Sequence, residues 1–483
     1  MQIYLDDTLE SYQRFMQIKQ LPRYEIRGSV ATVPDEYLAR LGLEADQPEP
    51  VAYQPLAGMF DYQRAIVQTA IEKQKYAIFA DCGLGKTLML LEFARHVYEV
   101  QEKPVLIVSP LMVVSQTLAE AARFYGDSLP LEQVTAKGLS EWLTTGGRKI
   151  GITNYDALKD STPDGDLGGL ILDESSMLKS HYGKWGQVCL RLGAGIPWKL
   201  ALTGTPAPND RIEYANHAVF LDAFPSVNAF LARFFINRGQ TMERWEIKPH
   251  ALRPFYRALS HWCIFLTDPA TYGWQDNVRS IPPIHVHIED VRLSDEQEKA
   301  VQRETGQLFV TELGGITTRA KLSKLAKCGS STKPRHIADM VAQWPDESTI
   351  IWCRYNDEQR AIENVLPDAA SIDGATPLAK REQIVEDFKA GRVRVLITKP
   401  KILGFGLNLQ VCTRQIFSGL QDSYEEYYQA VKRSNRIGST RPLNVHIPVS
   451  DVERPMVENV LRKARRVEAD TREQEEMFRN ATI

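Results

Sequence analysis

What is scarce in this chain narrows it first. Six cysteines, at positions 82, 189, 263, 328, 353 and 412, fall at no paired C-x-x-C spacing, so neither a zinc site nor a disulfide framework is suggested and the thiols read as reduced and buried. Long apolar runs are missing. No stretch approaches the roughly 18–20 unbroken apolar residues of a membrane span, and the opening MQIYLDDTLESYQ lacks the charged-then-apolar layout of a secretion signal. A soluble, cytoplasmic protein without a membrane partner is expected. Short-period repeats and low-complexity tracts are absent as well. Nor is there an excess of positive charge: 58 Lys and Arg against 61 Asp and Glu leave a net charge of −3. No basic coat surrounds the chain, although a local positive track would suffice for nucleic acid. What remains is ordinary globular composition, 43% hydrophobic and 25% charged over 483 residues, long enough for two or three full-sized cores.

The apolar residues come in two series of short runs. Tyr76–Ala80, Val105–Ser109, Lys149–Thr153, Leu170–Leu172 and Lys199–Thr203 alternate with helical stretches, and Thr349–Cys353, Ala370–Asp373, Val393–Thr398, Gln415–Ser418 and Val445–Pro448 repeat the pattern. Runs of this length without polar alternation are buried parallel strands, so two open α/β lobes are expected. The organisation read from this is an accessory element at 1–50, a first lobe at 51–224, a helical insertion and linker at 225–332, a second lobe at 333–450 and a packing helix at 451–483. The insertion ends in a basic tract, Arg319, Lys321, Lys324, Lys327, Lys333 and Arg335, with no acidic residue from Leu313 to Ala338. It reads equally as a solvated helix face or as a phosphate track.

Chemistry concentrates at the ends of the apolar runs. After Tyr76–Ala80 comes Ala80-Asp81-Cys82-Gly83-Leu84-Gly85-Lys86-Thr87, then a helical run. This is a phosphate-binding turn with alanine at its first glycine position. Backbone N–H groups around Gly83 and Gly85 can cradle phosphates, Lys86 can neutralise the β and γ charges, and Thr87 can hold Mg²⁺. Such a loop needs a metal-binding carboxylate and a base for water, and Asp173-Glu174 at the end of Leu170–Leu172 supplies both. Thr203 and Thr205, in LTGTP, could relay the state of the γ-phosphate. Gln63 carries the paired donor and acceptor that an adenine edge requires. Arg433 and Arg436, three residues apart, could stabilise charge on the transferring phosphoryl group. The glycine-rich Gly404–Asn408 turn before them suits close backbone approach.

In this order the motifs resemble superfamily 2 helicases, and more narrowly the Swi/Snf-like ATPases, over residues 55 to 465. The resemblance rests on DCGLGKT, ITNYDAL at 152–158, LTGTPAPNDRIEYANHAVFLDAF at 202–224, VRLSDEQEKAV at 291–301, IDGATPLAKREQIVEDFKAG at 372–391, GFGLNLQ at 404–410 and RSNRIGSTRP at 433–442. It implies two RecA-like lobes closing on ATP and Mg²⁺, with movement on duplex, branched or single-stranded DNA coupled to hydrolysis. It implies adenine recognition by Gln63, a nucleotide contact at Gly406, coupling through Gln429, and nucleic-acid contacts at Ser109, Pro110, Asn154, Thr398, Lys399 and Asn408. A DNA helicase or translocase, monomeric, serving replication, recombination or repair alongside other proteins of those processes, is the reading. An RNA-directed motor and an ATP-gated binding module with little turnover are its rivals.

Three departures stand out. The acidic motif reads DESS where the family usually has DEAH or DEGH, which removes the coupling histidine. Lys399-Pro400-Lys401-Ile402-Leu403 replaces a run of small residues. The short FSGLQDSYEEYYQAVKRSNR at 417–436 resembles the compact form of bacteriophage and mobile-element helicases, which implies a phage or bacterial source.

Overall fold

Unbroken apolar runs form strands that are covered on both faces, and the chain builds two parallel sheets from them. The computed structural model describes residues 1–44, 52–145, 147–159, 162–163, 165–178, 183–208, 210–239, 245–275, 281–305, 316–403, 407–420, 424–436 and 439–482. The chain divides into two compact units, Met1–Val278 with Ala469–Ile483, and Arg279–Glu468.

The first unit opens with a small antiparallel sheet, β1 (Gln2–Tyr4), β2 (Glu25–Arg27) and β3 (Val30–Thr32), in the order β1-β3-β2. Ile18, Leu21, Ala31, Val33, Leu38 and Leu41 give it a core of its own. The large sheet follows: β4 (Lys75–Ala80), β5 (Val105–Ser109), β6 (Leu131–Gln133), β7 (Ile150–Asn154), β8 (Gly169–Asp173) and β9 (Trp198–Leu202). A hairpin of β10 (Phe235–Asn237) and β11 (Trp245–Ile247) precedes β12 (Cys263–Leu266). The sheet runs β12-β4-β9-β8-β5-β7-β6, parallel at every pairing. Asp173 pairs with Leu202 and Ile78 with Leu202, so the loops after β4, β8 and β9 leave one edge side by side. In open α/β sheets that carboxyl edge is where ligands bind.

The second unit holds β13 (Ile284–Asp290), β14 (Thr349–Trp352), β15 (Ala370–Ser371), β16 (Val395–Thr398), β17 (Arg414–Phe417) and β18 (Leu443–Val449), ordered β13-β18-β17-β14-β16-β15 and again parallel throughout. Its core packs Ile337, Met340 and Val341 of one helix against Ile351, Ile397 and Ile416. Two parallel α/β lobes are thus present, as expected.

The stretch 225–332 differs from a purely helical insertion. It supplies an edge strand to each large sheet, β12 beside β4 and β13 beside β18, as well as an aromatic cluster of Phe230, Phe234 and Phe255. The basic tract also divides. Lys327 and Lys333 are buried, 3.5 and 2.6 Å from the carboxylate of Glu453, so these two are neither a solvated face nor a phosphate track. Lys324 and Arg335 are exposed, exposed Lys321 pairs with Glu304, and the Arg319 side chain lies outside the described residues. The helix Arg454–Thr482 buries Met456, Val457 and Val460. Its last turns belong to the first unit, where Gln474 donates to the Tyr256 hydroxyl and Glu475 accepts from the Thr267 N–H. Among the described residues no helix is long and apolar enough to cross a membrane.

Candidate nucleotide site

The loop after β4 is shaped by two glycines. Gly83 and Gly85 have φ of +89° and +73°, a region that a Cβ disfavours. A Cβ on Gly85 would also stand 2.1 Å from Gln63 Nε2. The turn delivers the chain into the helix Lys86–Val100, whose first N–H groups face the loop and offer an anion the positive end of the helix dipole. Lys86 Nζ donates to the carbonyls of Ala80 and Asp81, at 2.8 and 3.2 Å, curling over the loop. Thr87 follows it, half-buried.

The acidic pair ends β8. Asp173 is buried, and its carboxylate accepts from Ser109 Oγ at 2.9 Å and from the Glu174 N–H at 3.0 Å. Burial and then the adjacent Glu174 charge push the Asp173 carboxyl up to about 6, although Ser109 and Lys86 pull it back. Glu174 adopts φ +48°, a left-handed conformation unusual for a non-glycine residue and typical of strain held at a functional position. Thr203 Oγ1 donates to Glu174 Oε2 at 3.4 Å and accepts from the Thr205 N–H at 3.1 Å. Between them, a Cβ on Gly204 would lie 3.4 Å from the Ala80 carbonyl and 3.8 Å from Lys86 Nζ. The structure therefore gathers Lys86, Asp173, Glu174, Thr203 and Thr205 on one sheet edge.

This arrangement fits Mg²⁺. Thr87 and Asp173 are hard oxygen donors, few in number, as expected of a cation that takes its other ligands from phosphates and water. Among the described residues no cluster of three or more His, Cys, Asp or Glu competes as a metal cage. Asp173, crowded by Glu174 in a buried setting, is the carboxylate a cation would relieve.

Several expected contacts are placed differently. Ser109 is fully buried with its hydroxyl on Asp173, so its side chain orients the acid and does not face nucleic acid. Thr398 is likewise fully buried, its hydroxyl enclosed without a partner, which removes its side chain from any DNA surface. Asn154 is half-buried and caps a turn by accepting from the Ala157 N–H. Pro110, Lys399 and Asn408 are half-buried; Lys399 bonds Asn356, and Asn408 bonds Gln410. Gln63 is buried, accepting from the Phe60 N–H and donating to the Leu84 carbonyl. One lone pair and one N–H remain beyond those bonds.

In the second unit, the helix Tyr424–Ser434 ends before Arg436, so the two arginines do not share a helical face. Arg433 is buried, donating to Gln429 Oε1 at 2.7 Å and to the Gln429 and Leu407 carbonyls, while its own carbonyl accepts from the Leu409 N–H. It braces the loop at Leu407–Leu409, and Gln429 serves that brace. Arg436 is half-buried. Gly406 lies outside the described residues.

Sequence reasoning missed two partners of the acidic motif. The Tyr155 hydroxyl donates to the Asp173 carbonyl at 2.8 Å. Ser175 Oγ lies 3.0 Å from His217 Nε2, both fully buried. His217 stands within the 202–224 stretch that carries the family resemblance, but only folding brings it to the acids.

Residues 62–343 match the SNF2-related domain, and residues 332–438 match the helicase conserved C-terminal domain. The mouse (Mus musculus) DNA annealing helicase and endonuclease ZRANB3 is 22% identical over 81% of this chain and 38% of its own length. The Zorya protein ZorD of Escherichia coli is 23% identical over 79% of this chain and 41% of its own. The ATP-dependent DNA helicase DDM1 of Arabidopsis thaliana is 23% identical over 76% and 55%. The chain thus spans 38–55% of the length of these relatives. Among solved structures, the Sulfolobus solfataricus SWI2/SNF2 ATPase core in complex with dsDNA is 20% identical, covers 83% of this chain and 90% of its own, and superposes with a TM-score of 0.42.

Proposed function

Because the chain belongs to the SNF2-related family of superfamily 2, Swi/Snf-like helicase-type ATPases, we propose that it couples ATP hydrolysis to movement along DNA. The observation that carries the reading is the single sheet edge holding Lys86, Asp173, Glu174 and Thr203 around a glycine-shaped phosphate loop. In it, the loop N–H groups and Lys86 hold the β and γ phosphates, and Gln63 turns its remaining amide groups to the adenine. Thr87 and Asp173 would hold Mg²⁺, which would supply charge neutralisation on the phosphates when bound. Glu174 polarises the attacking water, and Thr203, which donates to Glu174 and accepts from the Thr205 N–H, relays the state of the γ-phosphate together with Thr205. Arg436 is the candidate for charge on the transferring phosphoryl group, while Arg433, held by Gln429, braces the loop at Leu407–Leu409. Pro110, Asn154, Lys399 and Asn408 are the candidate DNA contacts.

The relatives named for DNA annealing and ATP-dependent DNA helicase activity support DNA over RNA as the track. The compact 417–436 stretch supports a setting in phage or bacterial replication, recombination or repair, where the motor would remodel branched DNA, separate strands or displace bound protein.

Phosphate release with and without duplex DNA tests the proposal. Wild type is expected to turn over ATP faster with DNA, while Lys86→Ala and Glu174→Gln lose on the order of a hundredfold or more, as for removal of a principal charge-stabilising group. If these variants matched wild type, the catalytic assignment would be wrong. A wild type that binds ATP without turnover would instead be the ATP-gated binding module.

A further inference from the structure

Glu174 holds a backbone conformation that L-residues rarely adopt, and such a conformation persists only where the surroundings over-determine it. On one side the restraint is visible in the site itself: the Glu174 N–H is fixed by Asp173 and its carboxylate by Thr203. On the other side the chain enters a short 3-10 turn, Ser175–Leu178. Both ends of that turn are tied to one helix, Tyr214–Phe220, which follows the LTGTP loop. Asn216 Nδ2 donates to the Leu178 carbonyl, and His217 meets Ser175 Oγ at 3.0 Å.

His217 has a second anchor. Its ring stands edge-on to Phe79 of β4, centroids 5.2 Å apart and planes at 86°. Phe79 lies in the strand that leads into the phosphate loop. The imidazole is fully buried, and burial pushes it down to about 4. It is therefore neutral at physiological pH, with one ring nitrogen a donor and the other an acceptor. The acidic motif carries no histidine of its own, and the hydroxyl of Ser176, the last residue of DESS, is buried without a partner. An imidazole from the helix after LTGTP is bonded to the motif instead, at Ser175, the residue next to the candidate base.

We propose that His217 is a positioning residue for hydrolysis: through its hydrogen bond to Ser175 it holds Glu174 in its left-handed conformation and aims the carboxylate at the attacking water. The inference rests on the ATPase reading above and deepens it. His217 touches neither nucleotide nor water in this scheme. It acts through Ser175, so its removal misdirects the base and leaves the phosphate loop intact.

The test is steady-state ATP turnover by wild type, Ser175→Ala, His217→Leu, the double variant and His217→Gln, with Glu174→Gln as the floor. Leucine keeps an apolar volume against Phe79 and deletes the bond; glutamine can restore a polar group near the Nε2 position. A small displacement of a reacting group lowers rate steeply. Ser175→Ala and His217→Leu are expected to lower kcat at saturating ATP on the order of tenfold, with KM for ATP and affinity for a non-hydrolysable Mg–ATP analogue within about twofold. The double variant should be no slower than the slower single, because both break one bond, and His217→Gln should recover most of the rate. Unchanged kcat in folded variants, additive losses in the double, or losses confined to KM or thermal midpoint would each overturn the proposal. If His217→Leu does not fold, Ser175→Ala, which deletes one hydroxyl, decides alone. A wild type no faster than Glu174→Gln brings down the ATPase reading and this inference together, whereas an active wild type with unaffected variants brings down this inference only.

Discussion

A buried hydroxyl on a buried carboxylate is worth more than its size suggests, because a hydrogen bond is stronger in a buried, low-dielectric setting. Ser109 donates to Asp173, which is crowded upward by burial and by Glu174. A hydrogen bond to a charged group contributes about 1.5–3 kcal/mol. Ser109→Ala should therefore raise the Mg²⁺ concentration for half-maximal ATPase activity about tenfold, with DNA affinity unchanged. A loss of DNA affinity at constant Mg²⁺ dependence would return Ser109 to the nucleic-acid surface. Gly85 makes the complementary case for backbone. At φ +73°, with a Cβ destined to meet Gln63 Nε2, Gly85→Ala carries about 1–2 kcal/mol of left-handed strain before the clash is counted. Calorimetric titration with a non-hydrolysable ATP analogue should find binding abolished, since the loop must shift to admit the methyl group.

At the scale of elements, charge holds pieces together that apolar packing alone does not. In the second unit Glu453 is buried against two lysines, and although burial alone would raise its carboxyl, the Lys333 and Lys327 charges hold it low. Removing one member leaves buried charge uncompensated, so Glu453→Gln should cost about 3–5 kcal/mol in urea denaturation. In the first unit, the N-terminal element docks through Glu36, which pairs with Lys73 and lies 3.0 Å from His261 Nδ1. Burial would raise the Glu36 carboxyl, but His261 and Lys73 outweigh it and hold it at about 2, against an ordinary 4.5. A depressed carboxyl stabilises the fold above its unfolded value and loses that contribution as pH falls toward its folded value. The Tm gap between wild type and Glu36→Gln should thus be full at neutral pH and close as pH drops from about 4.5 toward about 2. These charge ties also mark where sequence stops being legible. β4, β8 and β9 could be read because a strand buried on both faces is an unbroken apolar run, and Lys86, Asp173 and Thr203 could be read because each stands at the end of one or just after it. β12 was hidden in a stretch read as a helical insertion, and β13 is an exposed edge strand, His285 to Ile288 all open to solvent. Lys327 and Lys333 looked like a charge run because Glu453 is over a hundred residues away in the chain. Ser109 and His217 were misread or passed over for the same reason: their partners, Asp173 and Ser175, are neighbours only after the sheet has formed.

For the whole molecule, the decisive quantity is how charge is distributed. A chain with a net charge of −3 has no general attraction for nucleic acid, so any DNA that stimulates it must be held by local contacts. Phosphate contacts release counterions, and the observed association constant falls steeply with salt in proportion to their number. Basal hydrolysis should show little such dependence, because the carboxylates of Asp173 and Glu174 are buried, where screening is weak. Raising salt from about 50 to about 200 mM should therefore weaken the apparent affinity for duplex DNA in the stimulated ATPase by an order of magnitude or more, while the basal rate changes little. The same titration run with duplex, single-stranded DNA and RNA separates the possible tracks: the nucleic acid whose stimulation persists to the highest salt is the one the contacts were built for. Equal persistence for RNA and duplex DNA would remove the preference for DNA. Stimulation by duplex without strand separation would make the molecule a translocase that tracks along the double helix.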